Sequence, residues 1–567
     1  MPANNVNRFP EDCRHLPPVC YCIESGILII EFKGKLLFLL FYCSMFTSNN
    51  FQGGIQMDLG GLVARNARMI PEHEGVVYED RRYSWKIVNE KVNAISNTLL
   101  KAGLKKGDKV AMWMFNTDMF IFAFYGIVKA GGVAVPVNFR LAPPEAEYIF
   151  NNCDAVALIF DDIFEPVVRE MKSRLGNIGP FYSAGTGQFE GFTPLTQVLA
   201  TGETSEPGVK VGEFDDSEIL YTSGTTGRPK GALFTHHNQI TLVTSMASLI
   251  GLNPRDRLLH AAPLFHSAEL NLYLNPGTYL GCTHVVIKDF IPNKVLAVMD
   301  KEKITQFFGA PVMYSFMMAV PDFDRYDLSA VRYYGYGAAP MAAESVKGMI
   351  KKFKTDRFFC LCGFTEAGPG GVALQPDDQV RKAGAGGKYV VNMESRLVDI
   401  DGNTITKPGV VGELVVSGDT IMKEYYKNPQ ATKDAIRDGW VYSGDLGTMD
   451  DEGYITLVDR RKDMIITGGE NVYSKEVEDA IYENPGIASA VIIGVPHPQW
   501  GETVMAVVTL KKDQKLTLEG LREFLKPRIA DYKIPRLLEI TEQLPMNVSG
   551  KVLKYKLREQ FGDKVVK

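Results

Sequence analysis

Residues 221–231 read Tyr221-Thr222-Ser223-Gly224-Thr225-Thr226-Gly227-Arg228-Pro229-Lys230-Gly231. Apolar residues 219–221 precede this segment and a helix-like stretch, 238–250, follows it, so the pattern reads as strand, loop and helix. Four hydroxyl side chains (Thr222, Ser223, Thr225, Thr226), two glycines (Gly224, Gly227) that let backbone amides approach closely, and the cation Lys230 are what a triphosphate needs. The segment is not a Walker A loop, which requires Gly-Lys-Ser/Thr, because Lys230 follows Pro229 and precedes Gly231. A polar surface loop would leave the lysine and the preceding strand unexplained.

Outward from this loop the chain repeats an α/β rhythm. Apolar residues recur at helical spacing over 59–100 around a short strand at 76–78. A strand at 110–114, a helix at 118–129 and a strand at 133–137 follow, and the rhythm resumes beyond residue 255. The fold class is therefore α/β, with mostly parallel sheets covered by helices. Residues 399–417 and 450–458 carry short strands separated by Asp-Gly, Pro-Gly and Glu-Gly turns, which predicts an antiparallel, distorted β-barrel subdomain. After residue 459, Ser474 can cap a helix whose first turn holds Glu476, Glu478 and Asp479. Strands at 488–495 and 504–510 and a helix at 518–529 complete a small α+β unit. The expected domains are 57–460 and 461–567, joined at the charged run Asp459-Arg460-Arg461-Lys462-Asp463.

With 567 residues, 45% hydrophobic and 23% charged, the chain is too large for one small binding module and too apolar for disorder. Its 62 Lys+Arg against 67 Asp+Glu leave a net charge of -5, which gives no electrostatic reason to expect nucleic acid and favours a small-molecule partner. No CxxC pair occurs among the eight cysteines, so neither a disulfide framework nor a zinc ribbon is indicated, and Cys13, His15, Cys20 and Cys22 match no standard metal spacing. A reduced, cytoplasmic interior is expected. Residues 1–56 differ from the rest: their apolar stretch, 26–46, is interrupted by Glu31, Lys33 and Lys35, and its cleanest run, 36–46, falls short of the roughly 20 apolar residues of a membrane span. This segment reads as a disordered extension or a translated upstream piece, with a membrane anchor as the alternative.

The 221–231 loop resembles the phosphate loop of the adenylate-forming enzymes, which include acyl-CoA synthetases, peptide-synthetase adenylation domains and firefly luciferase. Five further motifs follow in the family's order. Gly337-Ala338-Ala339-Pro340 resembles the adenine-side turn, Gly363-Phe364-Thr365-Glu366 the Gly-x-Thr-Glu motif, and Ser443-Gly444-Asp445 the ribose-binding Gly-Asp. Asp459-Arg460-Arg461-Lys462 resembles the hinge, and Ser549-Gly550-Lys551 the C-terminal lysine motif. The resemblance runs from Met57 to the C-terminus. It implies a mobile C-terminal domain rotating about Lys462 and Asp463, with ATP, Mg2+ and coenzyme A joining a carboxylic acid in two half-reactions. It implies that Glu366 and Thr222 contact the metal, that Thr365 belongs to the catalytic set, and that Lys551 reaches the α-phosphate and the carboxylate. Asp445 and Arg460 would meet the ribose, Gly363 and the 337–339 turn the base, His266 the acyl carboxylate, and Gly468 and Gly469 the thiol channel. Residues 445–473, with Arg381-Lys382-Ala383-Gly384, look most like fatty acyl-CoA ligases, which implies a medium- to very-long-chain acid.

Two features depart from that pattern. Cys362 stands where the family usually places an aromatic ring against adenine, and residues 1–56 have no counterpart. Lys347, Lys351 and Lys354 share one side of a helix at 345–354, which reads as a solvated face, or alternatively as a peripheral contact with anionic lipid. Competing functions are a ligase that loads a carrier protein, an aromatic-acid CoA ligase, and a nucleotide-binding protein without catalysis. Oligomeric state has no signature in the sequence.

Overall fold

Each apolar run between residues 57 and 567 is too short to bury itself, and the chain resolves this by stacking strands into sheets and covering them with helices. The computed structural model describes residues 57–222, 228–546 and 552–562, together with the backbone of three strands near the N-terminus. Those strands, Cys20–Ile23, Ile27–Phe32 and Lys35–Leu39, pair consecutively and antiparallel within the unit Met1–Gln56. Cys13 and His15 lie outside the described residues. Among the described residues no helix is long and apolar enough to cross a membrane.

Within Met57–Lys567, an eight-stranded sheet contains Lys109–Trp113, Val133–Pro136, Ala155–Phe160 and Asp216–Thr222, all running parallel. A nine-stranded sheet contains Glu74–Tyr78, Arg257–His260, Thr283–Val286, Gln306–Gly309, Tyr333–Gly337 and Phe358–Gly363, also parallel. The helix Asp118–Lys129 is apolar around most of its circumference, and all its residues are buried in a core fed by both sheets. Further cores line the outer faces, one around Trp113 and Phe150 and one around Tyr314, Phe353 and Phe358.

One local expectation fails instructively. The phosphate-loop segment does not pass directly into a helix: Lys230–Thr235 first forms a strand antiparallel to Asp216–Thr222, and only then does His236–Leu249 begin. The run Ala232-Leu233-Phe234 is buried on both faces of the sheet, which is why it favours a strand. Thr235 then caps the helix, accepting from the Asn238 amide at 3.2 Å.

The antiparallel subdomain consists of Glu394–Val398, Gly412–Ser417, Ile436–Arg437, Trp440–Met449 and Ile455–Arg460. Register shifts at Glu413/Val415 and Leu446/Gly447 bend this sheet. The C-terminal unit has a five-stranded sheet built on the long pair Ile487–His497 and Gly501–Leu510, with apolar clusters on both faces. Its first helix, Ser474–Tyr482, starts one residue earlier than a Ser474 cap would require. Tyr473 occupies the cap position and makes no side-chain cap bond, while the Ser474 hydroxyl turns to Asp459 at 3.0 Å. The following helix spans Leu518–Leu525 and ends short of residue 529.

Candidate active site

The C-terminal ends of parallel strands are where an open α/β fold leaves loops free to converge. Thr222 ends one such strand, and its register partner across the hairpin is Lys230, so the two residues fix the base of the phosphate loop. Ser223, Gly224, Thr225, Thr226 and Gly227 lie outside the described residues. The strand Phe358–Gly363 leads into a short turn, Thr365–Ala367, that presents Glu366. Glu366 Oε1 accepts from the Tyr425 hydroxyl at 2.5 Å and from the Thr222 hydroxyl at 3.3 Å. The Lys230 ammonium sits 4.4 Å from the Tyr425 ring centre, a cation–π contact. Burial, then the neighbouring Glu366 charge, push the Tyr425 phenol upward, so it remains a hydrogen-bond donor.

Thr365 Oγ1 lies 3.0 Å from Ser267 Oγ, which joins the Glu366 turn to the loop carrying His266. Asn116 holds that loop through two bonds: its side-chain amide donates to the Ala262 carbonyl at 2.7 Å and its Oδ1 accepts from the Leu264 amide at 2.9 Å. His266 caps the turn Ser267–Glu269, with Nδ1 accepting from the Ala268 amide at 3.2 Å. Behind it runs a wholly buried polar chain, Glu269 to His260 at 2.5 Å, His260 to His284 at 2.9 Å and His284 to Thr278 at 3.0 Å. Burial pushes His260 down to about 3 and raises Glu269 well above the usual carboxylate range, so both shifts disfavour a buried charge in this chain.

The strand Tyr333–Gly337 ends in a turn at which Ala338 adopts a φ of 67°, uncommon for a residue with a side chain. A side-chain carbon at Gly337 would lie 2.2 Å from the Leu361 carbonyl oxygen, and one at Gly363 would lie 2.1 Å from that of Pro369. Ala339 completes the turn. Gly363→Ala is therefore expected to destabilise the fold by about 1–3 kcal/mol, read as a lower urea midpoint with an unchanged slope. Burial, then Cys360 and Asp445, raise the Cys362 thiol above its ordinary value, which disfavours its thiolate. Asp445 and Arg460 are register partners on adjacent strands and form an ion pair at 3.1 Å.

One of the expected site groups stands apart from this cluster, and another lies outside the described residues. Gly468 and Gly469, with φ of 59° and 88°, form the two-residue tip of the hairpin Ile465–Thr467 and Glu470–Val472, the backbone a type I′ turn requires. The tip is exposed, and a side-chain carbon at Gly469 would meet nothing within 4 Å. Lys551 lies outside the described residues, although its flanks Met546 and Val552 pair as an antiparallel bridge. At the join, Asp463 accepts an ion pair from Arg558 at 2.8 Å. Burial opposes the charge on Asp463, but Arg558 and the nearby lysines outweigh it and hold the carboxyl low.

On the helix Ala343–Phe353 and its C-cap, Lys347 pairs with Glu344 at 2.6 Å and Lys354 with Asp324 at 2.7 Å, the arrangement of a solvated face. Among the described residues no group of three or more His, Cys, Asp or Glu is placed to hold a metal. One carboxylate and one hydroxyl, Glu366 and Thr222, nonetheless suit Mg2+, which is usually carried by one or two protein oxygens and the phosphates of a nucleotide. Sequence reasoning missed Tyr425, Ser267 and Asn116. Tyr425 is 59 positions from Glu366, and nothing in its local pattern signals their contact.

The strand end at Thr222, the Glu366 turn and the Asp445–Arg460 ion pair are the described parts of the candidate site. The chain belongs to the AMP-binding enzyme family: the model of that family matches residues 63–426, and the model of its C-terminal domain matches 476–551. It is an adenylate-forming enzyme of the acyl-CoA ligase type. It is 34% identical to a long-chain-fatty-acid–CoA ligase of Mycobacterium tuberculosis, over 90% of this chain and 100% of that one. It is 35% identical to a feruloyl-CoA synthase of Amycolatopsis, over 89% of this chain and 99% of that one. The crystal structure of an anthranilate CoA ligase in complex with anthranoyl-AMP superimposes with a TM-score of 0.83 at 26% identity, covering 89% of this chain and 97% of the other.

Proposed function

We propose that this enzyme activates a fatty acid, of medium to very long chain, as acyl-AMP and passes the acyl group to coenzyme A. The observation that supports it most is the convergence of Thr222, Lys230, Tyr425 and Glu366 beside the contact of Thr365 with Ser267, the residue after His266. Such a site can bring a carboxylate to an α-phosphate. A carboxylate is a weak acyl donor, and the charge that gathers on phosphate as it attacks must be met by fixed cations and donors.

In this reading the phosphate loop Thr222–Gly227 and Lys230 cradle the phosphates, Asp445 and Arg460 orient the ribose, and Gly363 and Gly337-Ala338-Ala339 leave room for the base. Mg2+, held by Glu366 and Thr222, would neutralise phosphate charge. Tyr425 fixes the Glu366 carboxylate by donating to Oε1, and its ring steadies Lys230. His266 flanks the entering carboxylate. Lys551, supplied by the C-terminal domain, meets the charge of the first transition state, and rotation about Lys462 and Asp463 then brings Gly468 and Gly469 to the thiol path. Proline at 462 fixes φ, so Lys462→Pro is expected to slow thioester formation about tenfold or more while leaving acyl-AMP formation near its original rate. A chemical-quench assay of each half-reaction checks this, and equal losses would place the hinge elsewhere.

A second reading, an aromatic acid, is supported by the 35% identity to a feruloyl-CoA synthase and the likeness to an anthranilate CoA ligase. Competition among octanoic, palmitic, ferulic and benzoic acids for acyl-AMP formation separates the two. Preference for palmitic or octanoic acid supports the fatty-acid reading, and preference for ferulic or benzoic acid replaces it.

A further inference from the structure

Asp459 is the carboxylate that crosses the join between the two catalytic domains. It lies on the strand Ile455–Arg460, three positions before Lys462, yet its partners belong to the first turn of the helix Ser474–Tyr482. Asp459 Oδ2 accepts from the Ser474 amide at 2.6 Å and Oδ1 from the Ser474 hydroxyl at 3.0 Å. The first amides of a helix have no partner within it, and its N-terminus carries partial positive charge. Tyr473, at the cap position, supplies no side-chain bond, so a carboxylate from the preceding domain fills that role.

The surroundings hold the same arrangement. Lys554, on the helix Lys554–Phe561, donates to the Ser474 hydroxyl, pairs with Glu478 at 3.0 Å, and sets its charge beside Asp459. Arg558, one turn further along, grips Asp463 at 2.8 Å. Meanwhile the Gly468-Gly469 tip is exposed. A rotation at Lys462 moves Ser474 with the C-terminal unit and leaves Asp459 behind, so bringing the tip elsewhere requires these bonds to break.

We propose that Asp459 is a positioning residue that latches the C-terminal domain, through Ser474, in the arrangement for acyl-AMP formation, and must release it before thiol transfer. This rests on the two-step reading with a swinging domain. Ser474 tests the latch from the far side, because it is the first helical residue, where proline is well tolerated, and Ser474→Pro removes both the amide donor and the hydroxyl. Tyr473 already has the extended backbone that precedes a proline.

The experiment uses the full chain and the acid that competes best in the panel above. Rapid quench measures acyl-AMP formation without CoA, and a single-turnover chase measures transfer from preformed acyl-AMP to CoA. Loss of a charge-assisted pair of bonds predicts that Asp459→Ala and Ser474→Pro each slow acyl-AMP formation about tenfold, with transfer unchanged or faster and the KM for ATP close to that of the original enzyme. Unchanged acyl-AMP formation in both variants, or an equal fall in both steps, overturns the latch. So does a loss confined to Asp459→Ala with a raised KM for ATP, which would mean that Asp459 acts only by orienting Arg460 at the ribose. If the original enzyme itself forms no acyl-AMP, or transfers none, the two-step reading fails and the latch with it.

Discussion

Lys551→Ala is expected to slow acyl-AMP formation by roughly 10²–10³-fold, the loss typical when a fixed group facing transition-state charge is removed. That corresponds to about 3–4 kcal/mol of transition-state stabilisation. The physical reason is that a carboxylate attacking a polyphosphate brings negative charges together, and a cation placed only at that moment stabilises the transition state more than the bound substrates. Lys551 stands between Gly550 and Val552 in the sequence, and Met546 and Val552, on either side of it, pair as an antiparallel bridge. The matching control is transfer from preformed acyl-AMP to CoA, which should change by less than about threefold if Lys551 serves the first step alone, as proposed. An unchanged rate of acyl-AMP formation would remove Lys551 from the catalytic set.

Glu366→Gln is expected to cost about 10²-fold in kcat/KM, with the Mg2+ concentration needed for half-maximal rate rising in parallel. The substitution keeps the size of the side chain and an oxygen that can accept from Tyr425 and Thr222, so it isolates the charge. An amide binds Mg2+ less well than a carboxylate, a hard anionic ligand suited to a hard cation. A titration of rate against Mg2+ checks this: a Glu366→Gln enzyme with unaltered Mg2+ dependence would assign the carboxylate to holding Tyr425 and Lys230 instead.

What could be read in the sequence divides along physical lines. The helix Asp118–Lys129 was legible to the residue, because an apolar run between a Thr cap and a glycine turn leaves little choice. The α/β architecture followed from repetition of such units, and the resemblance to the adenylate-forming family from motifs in order. The strand Lys230–Thr235 was not legible as a strand, since a short apolar run beside a polar loop has the same local pattern in either state and only pairing with Asp216–Thr222 decides it. Candidate site residues could be named where one local segment carries a motif, as at Thr222–Lys230 and Thr365-Glu366. The site was not legible where contact joins distant segments, as for Tyr425 on Glu366, Ser267 on Thr365, or Asp459 on Ser474. Gly468 and Gly469 show a different limit: their positive φ satisfies a hairpin turn, so composition alone cannot separate a turn requirement from a channel requirement.

The arrangement of the domains gives these residues a common logic. Thr222, Gly337 and Gly363 end strands, whereas the lysine and glycine motifs lie in the sequence beyond Lys462. In the proposed two-step reading one cleft presents two different sets of groups in succession, and the bonds from Asp459 to Ser474 bear on how long each persists.

Release of pyrophosphate from ATP in the presence of Mg2+, followed with each acid of the panel and with or without CoA, addresses the two-step chemistry most directly. The expected result is release that requires a fatty acid, stops after about one turnover without CoA, and becomes continuous when CoA is added, with acyl-CoA and AMP formed in equal amounts. Release that is independent of any acid, or a single burst that CoA leaves unchanged, would contradict it.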